Sequence, residues 1–515
     1  MNSASVGLAN TLCVRDYIDQ HAETRPAEAF LIDPLSGKHY TFAECKEEIV
    51  AIVSQLSALG LKQGDGIAFA FSNSVQGALG ILAILYGGYL ATAINLVAGR
   101  DTIAYVLDHS EVKLAIVDEE GAQLTEQASR LNGARVKMVF LKNLITNSRA
   151  AFNETETVSA NQDGLLMYTS GTTGRPKGVV HTQESLLCGG KNTAVAHALT
   201  EQDRGLCVLP FYHINAFCVS LMGSLVSGGS LVVPKKFSVS SFWKIIQSFK
   251  CSWFSVVPTQ ISYLLHDTET KIQANEDLHH LRFGRSASAP LSPEVHEAFE
   301  SRFNVPIIET MGLTETAAQI LSNPAPPGKR KIGSPGIAIG NEIMIADQNQ
   351  KEIRNGAEGE ILVRGPNVLR CYLKNKEATA QAITPDGWLR TGDLGRMDEE
   401  GYVFVTGRLK ELIIKGGENI APREVDEALY SHPDVIEAAA FAVACSNYGQ
   451  TVEACVKLRE NSKLTPEKLI EICQEKLGIF KAPDSIHFLE DLPKGPSGKI
   501  QRIKLLDMIS TPAKP

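Results

Sequence analysis

The hydrophobic pattern predicts an α/β protein: a large amino-terminal domain of layered α/β subdomains with a small β subdomain, then a small α+β carboxy-terminal domain. Three observations predict it. Strand-like and helix-like runs alternate through the first 150 residues and again between 200 and 340, the signature of parallel sheet layered with helices. From 360 to 407 the runs shorten into strands separated by turns. The roughly 105 residues that follow Arg408 are a normal size for one domain.

In chain order, Thr41 with Glu44 makes a capping box for a helix over about 42–59 that stops at Gly60. Gly64-Asp65-Gly66 turns the chain into a strand at 67–71, followed by a helix at 75–86 and a strand at 90–94. No charge occurs from Gly66 to Gly99, and Gly77–Gly99 is long enough to span a bilayer. Ser72, Asn73, Ser74, Gln76, Gly87-Gly88 and Asn95 interrupt it, so strands and a helix buried in an α/β core are the better reading. Leu114–Val117 and Val136–Leu141 are β-like, residues 142–163 turn polar and read as a loop, and Leu165-Leu166-Met167 reads as a buried strand end. Later, Glu360–Arg364, the Gly387–Asp393 segment and Tyr402–Thr406 are short strands. Pro422 starts a helix, Ile436–Val443 and Val452–Leu458 are strands, and Thr465-Pro466 caps a helix ending at Gly478.

A chain of 515 residues exceeds a single core. Hydrophobic and charged fractions of 44% and 21% are those of a soluble globular protein. The net charge of −8 argues against a non-specific nucleic-acid binder. Ten scattered cysteines with no C-x-x-C pair read as reduced thiols rather than disulfides or a zinc site. Met1–Gln20 lacks a basic n-region and an apolar core, and the last residues, Ala513-Lys514-Pro515, are not the Ser-Lys-Leu address. The expected compartment is therefore the cytoplasm.

The chemistry concentrates in Tyr168-Thr-Ser-Gly171-Thr-Thr-Gly174-Arg-Pro-Lys177-Gly178. Glycines let backbone N–H groups curl round oxyanions, hydroxyls donate further hydrogen bonds, and the cations neutralise charge, so the string suits a polyphosphate. It is not a Walker A loop: Arg175 and Pro176 separate Gly174 from Lys177, and no Ser or Thr follows the lysine. Gly/Ser/Thr clusters are otherwise ordinary surface loops.

Five strings, in order from 168 to 499, resemble the adenylate-forming superfamily of acyl-CoA synthetases, peptide-synthetase adenylation domains and luciferases. Tyr168–Gly178 resembles its phosphate loop, Gly312-Leu-Thr-Glu315 its adenine/magnesium motif and Thr391-Gly-Asp393 its ribose motif. Gly407-Arg408-Leu-Lys410 resembles its hinge, and Pro496-Ser-Gly-Lys499 carries its mobile catalytic lysine. The resemblance implies a carboxylate attacking the α-phosphate of ATP to give an acyl-adenylate and pyrophosphate, then transfer of the acyl group to coenzyme A. Both first reactants are anions, so catalysis is chiefly charge neutralisation and in-line positioning. Thr169, Ser170, Gly171, Thr172, Thr173, Gly174 and Lys177 are then expected at the ATP phosphates, and Thr314 at the α-phosphate. Glu315 is expected to carry Mg²⁺, Met311 and Gly312 to meet adenine, Asp393 the ribose hydroxyls with Arg408 nearby, and Lys499 the reacting centre.

The resemblance further implies domains at 1–408 and 412–515 joined by a hinge at 409–411 centred on Lys410, about which the smaller, mobile domain swings. Gly416, Gly417 and Glu418 would then close on the pantetheine arm of coenzyme A, and His213 would gate the thiol, an acid/base role being the alternative. Met311 stands where the family usually has Tyr; a thioether still packs on a purine face. Arg285-Ser286-Ala287-Ser288 and the strings around Met311 and Lys415 look most like the oxalate–CoA ligase branch. Arg285, Ser286, Ala287 and His213 are accordingly the expected acyl pocket. Arg285 would pair with a second anionic group on a small polar, dicarboxylic or sulfonated acid, or else with a phosphate or structural carboxylate. The expected partner is that small carboxylic acid, with no nucleic acid and no membrane span; a homodimer is left open. A carrier-protein thiol as acceptor, and a non-catalytic nucleotide-binding protein, are the competing readings.

Overall fold

The structure is a computed structural model that describes residues 12–132, 136–145, 157–169, 175–267, 278–353, 356–495 and 499–510, together with Glu269 and Ile272. It divides into two compact units, Met1–Phe237 with Leu313–Gln319 and Gly365–Gln381, and Ser238–Gly312 with Ile320–Arg364 and Ala382–Pro515.

In the first unit the expected α/β alternation becomes a sheet ordered Cys371–Tyr372, Lys177–Thr182, Asp163–Thr169, Leu90–Ala93, Gly66–Ala70, Leu114–Val117, Lys137–Phe140. Strands from Asp163–Thr169 outward to Lys137–Phe140 run parallel, and the hairpin partners Lys177–Thr182 and Cys371–Tyr372 are antiparallel. The uncharged stretch lies at its centre. Gly66–Ala70 and Leu90–Ala93 pair side by side, and the helix Val75–Tyr86 buries eleven of its twelve residues. Parallel strands covered on both faces need this apolar continuity. No helix among the described residues is long and apolar enough to cross a membrane. The capping box is formed as expected: Thr41 Oγ1 accepts from Glu44 N at 3.2 Å, Glu44 Oε2 accepts from Thr41 N at 2.8 Å, and the helix is Phe42–Ala58. The polar segment expected as a loop begins with a short helix, Leu141–Leu144, and residues 146–156 lie outside the described residues.

In the second unit, Trp253–Val256, Phe283–Ser286 and Ile307–Leu313 are parallel neighbours. The expected β subdomain is an antiparallel sheet, Glu342–Ala346, Gly359–Arg364, Leu389–Met397 and Val403–Arg408. The carboxy-terminal segment forms a second antiparallel sheet from Ile413–Lys415, Glu418–Ile420, Val435–Cys445 and Gly449–Leu458, joined in parallel by Ser485–Phe488. Helices Pro422–Tyr430 and Pro466–Leu477 cover it, and Val425, Leu429, Val452, Val456 and Leu469 form its fully buried core. Each large aliphatic side chain removed from water contributes about 1.5–3 kcal/mol, so this cluster is a major stabilising contribution to the segment.

Candidate active site

Within the second unit a cavity of about 190 Å³ is lined by Met311, Gly312, Asp393, Arg408 and Lys499, drawn from well-separated stretches of the sequence. Sheet register explains two of them. Asp393 and Arg408 oppose each other on adjacent antiparallel strands, and Arg408 Nε donates to Asp393 Oδ1 at 2.5 Å. The Thr391 hydroxyl accepts from Asp393 N at 3.0 Å and donates to the Ile361 carbonyl at 2.7 Å, locking the corner that carries the buried carboxylate.

Lys499 stands where two short segments pair, and Pro496, Ser497 and Gly498 between them lie outside the described residues. Gly495 N donates to the Lys499 carbonyl and Gln501 N to the Pro493 carbonyl, each at 2.7 Å, while Lys494 bridges Ile500. Burial, then the Arg408 charge, holds the Lys499 ammonium below the ordinary lysine pKa. Glu309 also lines this cavity; it is 2% exposed, and its Oε1 accepts from Leu291 N at 3.3 Å. Burial raises its carboxyl pKa.

Arg285, Ser286 and Ala287 are buried at and just beyond the end of Phe283–Ser286. Arg285 is 1% exposed, donates to Ser255 Oγ at 3.1 Å, and is pushed down to about 9 by burial. These three do not line the cavity; the next residues, Ser288, Ala289 and Pro290, do. Lys410 is exposed in a turn closed by Glu411 N donating to the Arg408 carbonyl at 3.0 Å. Gly416 and Gly417, with φ of 58° and 87°, make the two-residue turn between Ile413–Lys415 and Glu418–Ile420, a backbone that side chains resist. Glu418 is exposed beside it.

Within the first unit, Thr169 and Lys177 face each other across the hairpin, and Ser170, Gly171, Thr172, Thr173 and Gly174 lie outside the described residues. The hairpin base is anchored where the Tyr168 hydroxyl meets His109 Nδ1 at 2.8 Å. Glu315 Oε1 accepts from the Tyr372 hydroxyl at 3.0 Å, and Lys177 Nζ sits 4.9 Å above the Tyr372 ring. His181 Nε2 donates to the Thr314 carbonyl at 2.6 Å; burial pushes this imidazole down to about 4, so it is neutral and a donor on that nitrogen. The turn after Glu315 is strained, with Ala317 and Ala318 at φ of 45° and 78°. Gly189 permits it, because a Cβ there would sit 2.1 Å from the Ala317 carbonyl oxygen.

His213 is half-buried beside Tyr212, immediately before a π-helix, Asn215–Met222. Such helices recur at functional sites. Asn73 secures the segment, donating to the Leu209 carbonyl at 2.7 Å and accepting from Phe211 N at 2.9 Å.

A magnesium ion needs one or two carboxylates, with phosphate oxygens and water completing its shell. Glu315, whose Oε1 accepts from the Tyr372 hydroxyl, supplies such a carboxylate, whereas the described residues offer no group of three or more metal-ligating side chains for an all-protein site. Tyr372, His181 and Glu309 escaped the reading of the sequence. Tyr372 and His181 act on motif residues 57 and 133 positions away, so no local pattern marks them, whereas Glu309 lies two residues before Met311 of the same cavity wall.

The AMP-binding enzyme model matches residues 18–373, and the AMP-binding enzyme C-terminal domain model matches residues 424–499. The chain belongs to the AMP-binding enzyme family. Among its relatives, sulfoacetate–CoA ligase of Cupriavidus necator is 42% identical over 94% of this chain and 95% of its own length. Oxalate–CoA ligase of Arabidopsis thaliana is 35% identical over 91% of this chain and 93% of its own. ATP-bound MatB from Rhodopseudomonas palustris superposes with a TM-score of 0.88 at 27% identity, covering 98% of this chain and 100% of that one.

Proposed function

We propose that this ATP-dependent acid–CoA ligase activates a small acid bearing a second anionic group, a dicarboxylate or a sulfonated carboxylate. The chain forms an acyl-adenylate and pyrophosphate, then an acyl-CoA thioester and AMP. The observation that carries the reaction is Lys499 lining one cavity with Asp393, Arg408 and Met311. Asp393 accepts from the ribose hydroxyls, with Arg408 holding its carboxylate. Met311 and Gly312 receive the adenine. Lys499 bridges the substrate carboxylate and the α-phosphate, placing positive charge where the pentavalent centre forms.

Lys177, Thr169 and the Ser170–Gly174 segment bind the β- and γ-phosphates, and Thr314 the α-phosphate. Glu315 carries Mg²⁺, which when bound neutralises phosphate charge. For thioester formation, Lys410 serves as the hinge, Gly416-Gly417-Glu418 closes on the pantetheine arm and His213 gates the thiol. The proposed compartment is the cytoplasm.

Two facts support the substrate class. The sulfoacetate and oxalate ligases named above act on small acids with a second anionic group. Arg285 places a buried guanidinium three residues before Ser288 of the cavity wall, and guanidinium matches planar oxyanions bidentately. The test is pyrophosphate release from ATP·Mg²⁺ with oxalate, malonate, sulfoacetate, fatty acids and aryl acids, with and without CoA. Release confined to one small dianionic acid, and turning over repeatedly only with CoA, is expected. Acid-dependent release indifferent to CoA would move the acceptor to a carrier-protein thiol, and release only with fatty or aryl acids would overturn the substrate class.

A further inference from the structure

Contacts outside the five motifs converge on the segment beside Lys499. Glu437, on Val435–Cys445, has a side chain with 0% exposure, and a buried carboxylate demands partners. Two converge on it. The Tyr263 hydroxyl donates to Glu437 Oε1 at 2.7 Å, and Lys494 Nζ lies 2.9 Å from Oε2. Lys494 bridges Ile500, the neighbour of Lys499, and its Nζ also bonds Asp491 Oδ1 at 2.5 Å, so the ion pair ties the segment beside Lys499 to this strand.

Tyr263 comes from the helix Pro258–His266, whose start, Pro258 and Thr259, lines the same cavity as Lys499. Its ring is flanked by cations: Lys457 and Lys494 lie 5.5 and 5.9 Å from its centroid. The neighbouring residue Ser262 donates to the Ile436 carbonyl at 2.9 Å. That carbonyl sits where the strand's register shifts between Val435 and Glu437, and such an irregularity frees a backbone group from the ladder. Two side chains of one helical turn therefore clasp two consecutive residues of one strand, and that strand grips the segment beside Lys499 through Lys494.

We propose that Tyr263, Glu437 and Lys494 form a positioning relay that registers Lys499 for adenylate formation, and that Tyr263 serves this half-reaction alone. The proposal rests on Lys499 being the lysine of that step. None of the three need touch ATP or acid. When Lys499 leaves, as thioester formation requires of it, the Tyr263–Glu437 bond has no further task.

The test is to measure the two half-reactions separately in the full-length enzyme. Tyr263→Phe deletes one oxygen and keeps the ring, and a lost hydrogen bond to a carboxylate predicts about a tenfold slower pyrophosphate-forming step. Thioester formation from supplied acyl-AMP and CoA should stay within about twofold, since the fold-change is read in the first step alone. Lys494→Gln should reproduce the split, and Tyr263→Phe with Lys494→Gln should lose less than the product of the two single losses, as members of one network do. Equal loss in both half-reactions, no loss in either, or fully multiplicative losses would overturn the relay. Lys499→Ala is the control: if it leaves pyrophosphate release intact, the parent reading fails, whereas its loss alongside an unsplit Tyr263→Phe defeats only the relay.

Discussion

Tyr372 donates its hydroxyl to Glu315 Oε1 at 3.0 Å while its ring face receives Lys177 Nζ at 4.9 Å. One aromatic side chain thus orients both the proposed magnesium carboxylate and the lysine of the phosphate loop. A partner that orients a metal ligand commonly contributes tenfold or more in metal affinity. Tyr372→Phe should raise the Mg²⁺ concentration for half-maximal pyrophosphate release by about tenfold, with KM for the acid little changed. A Mg²⁺ titration at fixed ATP, paired with direct Mg²⁺·ATP binding, measures it; an unshifted midpoint would remove Tyr372 from this role.

Lys499→Ala should abolish acyl-adenylate formation and spare thioester formation from supplied acyl-AMP. Lys410→Pro, at an exposed turn position, should instead favour one conformation and impair one half-reaction selectively. Rapid-quench measurement of the two steps separates these cases. A Lys410→Pro enzyme with its two rates in the original proportion would place the hinge elsewhere.

Arg285→Ala should raise KM for the dianionic acid by about tenfold or more, as losing a charge-assisted hydrogen bond does, while KM for ATP changes little. Arg285→Lys should recover only part of the loss, because an ammonium cannot reproduce the planar fork. Equal increases for acid and ATP would assign Arg285 a structural task instead.

The Lys499 pKa lies below the ordinary lysine value, first through burial and then through the Arg408 charge. Raising the pH through that lowered pKa removes the ammonium charge, so kcat/KM for adenylation should fall at a pH below about 10.4, the unperturbed lysine value. Thioester formation from supplied acyl-AMP should lack this alkaline limb. A limb common to both steps would point to another group.

Legibility followed the range of the interactions. The Phe42–Ala58 helix was readable because its cap is a contact three residues long, Thr41 to Glu44. The strand Gly66–Ala70 and the helix Val75–Tyr86 were readable because their burial is written as uninterrupted apolar runs. Boundaries drifted where pairing decided them: the expected strand 136–141 is Lys137–Phe140, and the turn-rich segment at Gly387 becomes a strand only at Leu389.

Motif residues such as Asp393, Arg408 and Lys499 were legible from a resemblance over ordered strings, which says nothing about geometry. Their meeting in one cavity follows from strand register and the pairing of two short segments.

Residue types and order along the chain were enough to determine the layered α/β class and the family, because periodicity, capping and ordered short motifs are local features. The tertiary structure alone decided that Tyr372 holds Glu315, that His181 holds the Thr314 turn and that Tyr263 reaches Glu437. These partners lie 57, 133 and 174 residues apart, and a buried carboxylate or carbonyl takes whichever donor the packing of distant elements brings within hydrogen-bond reach.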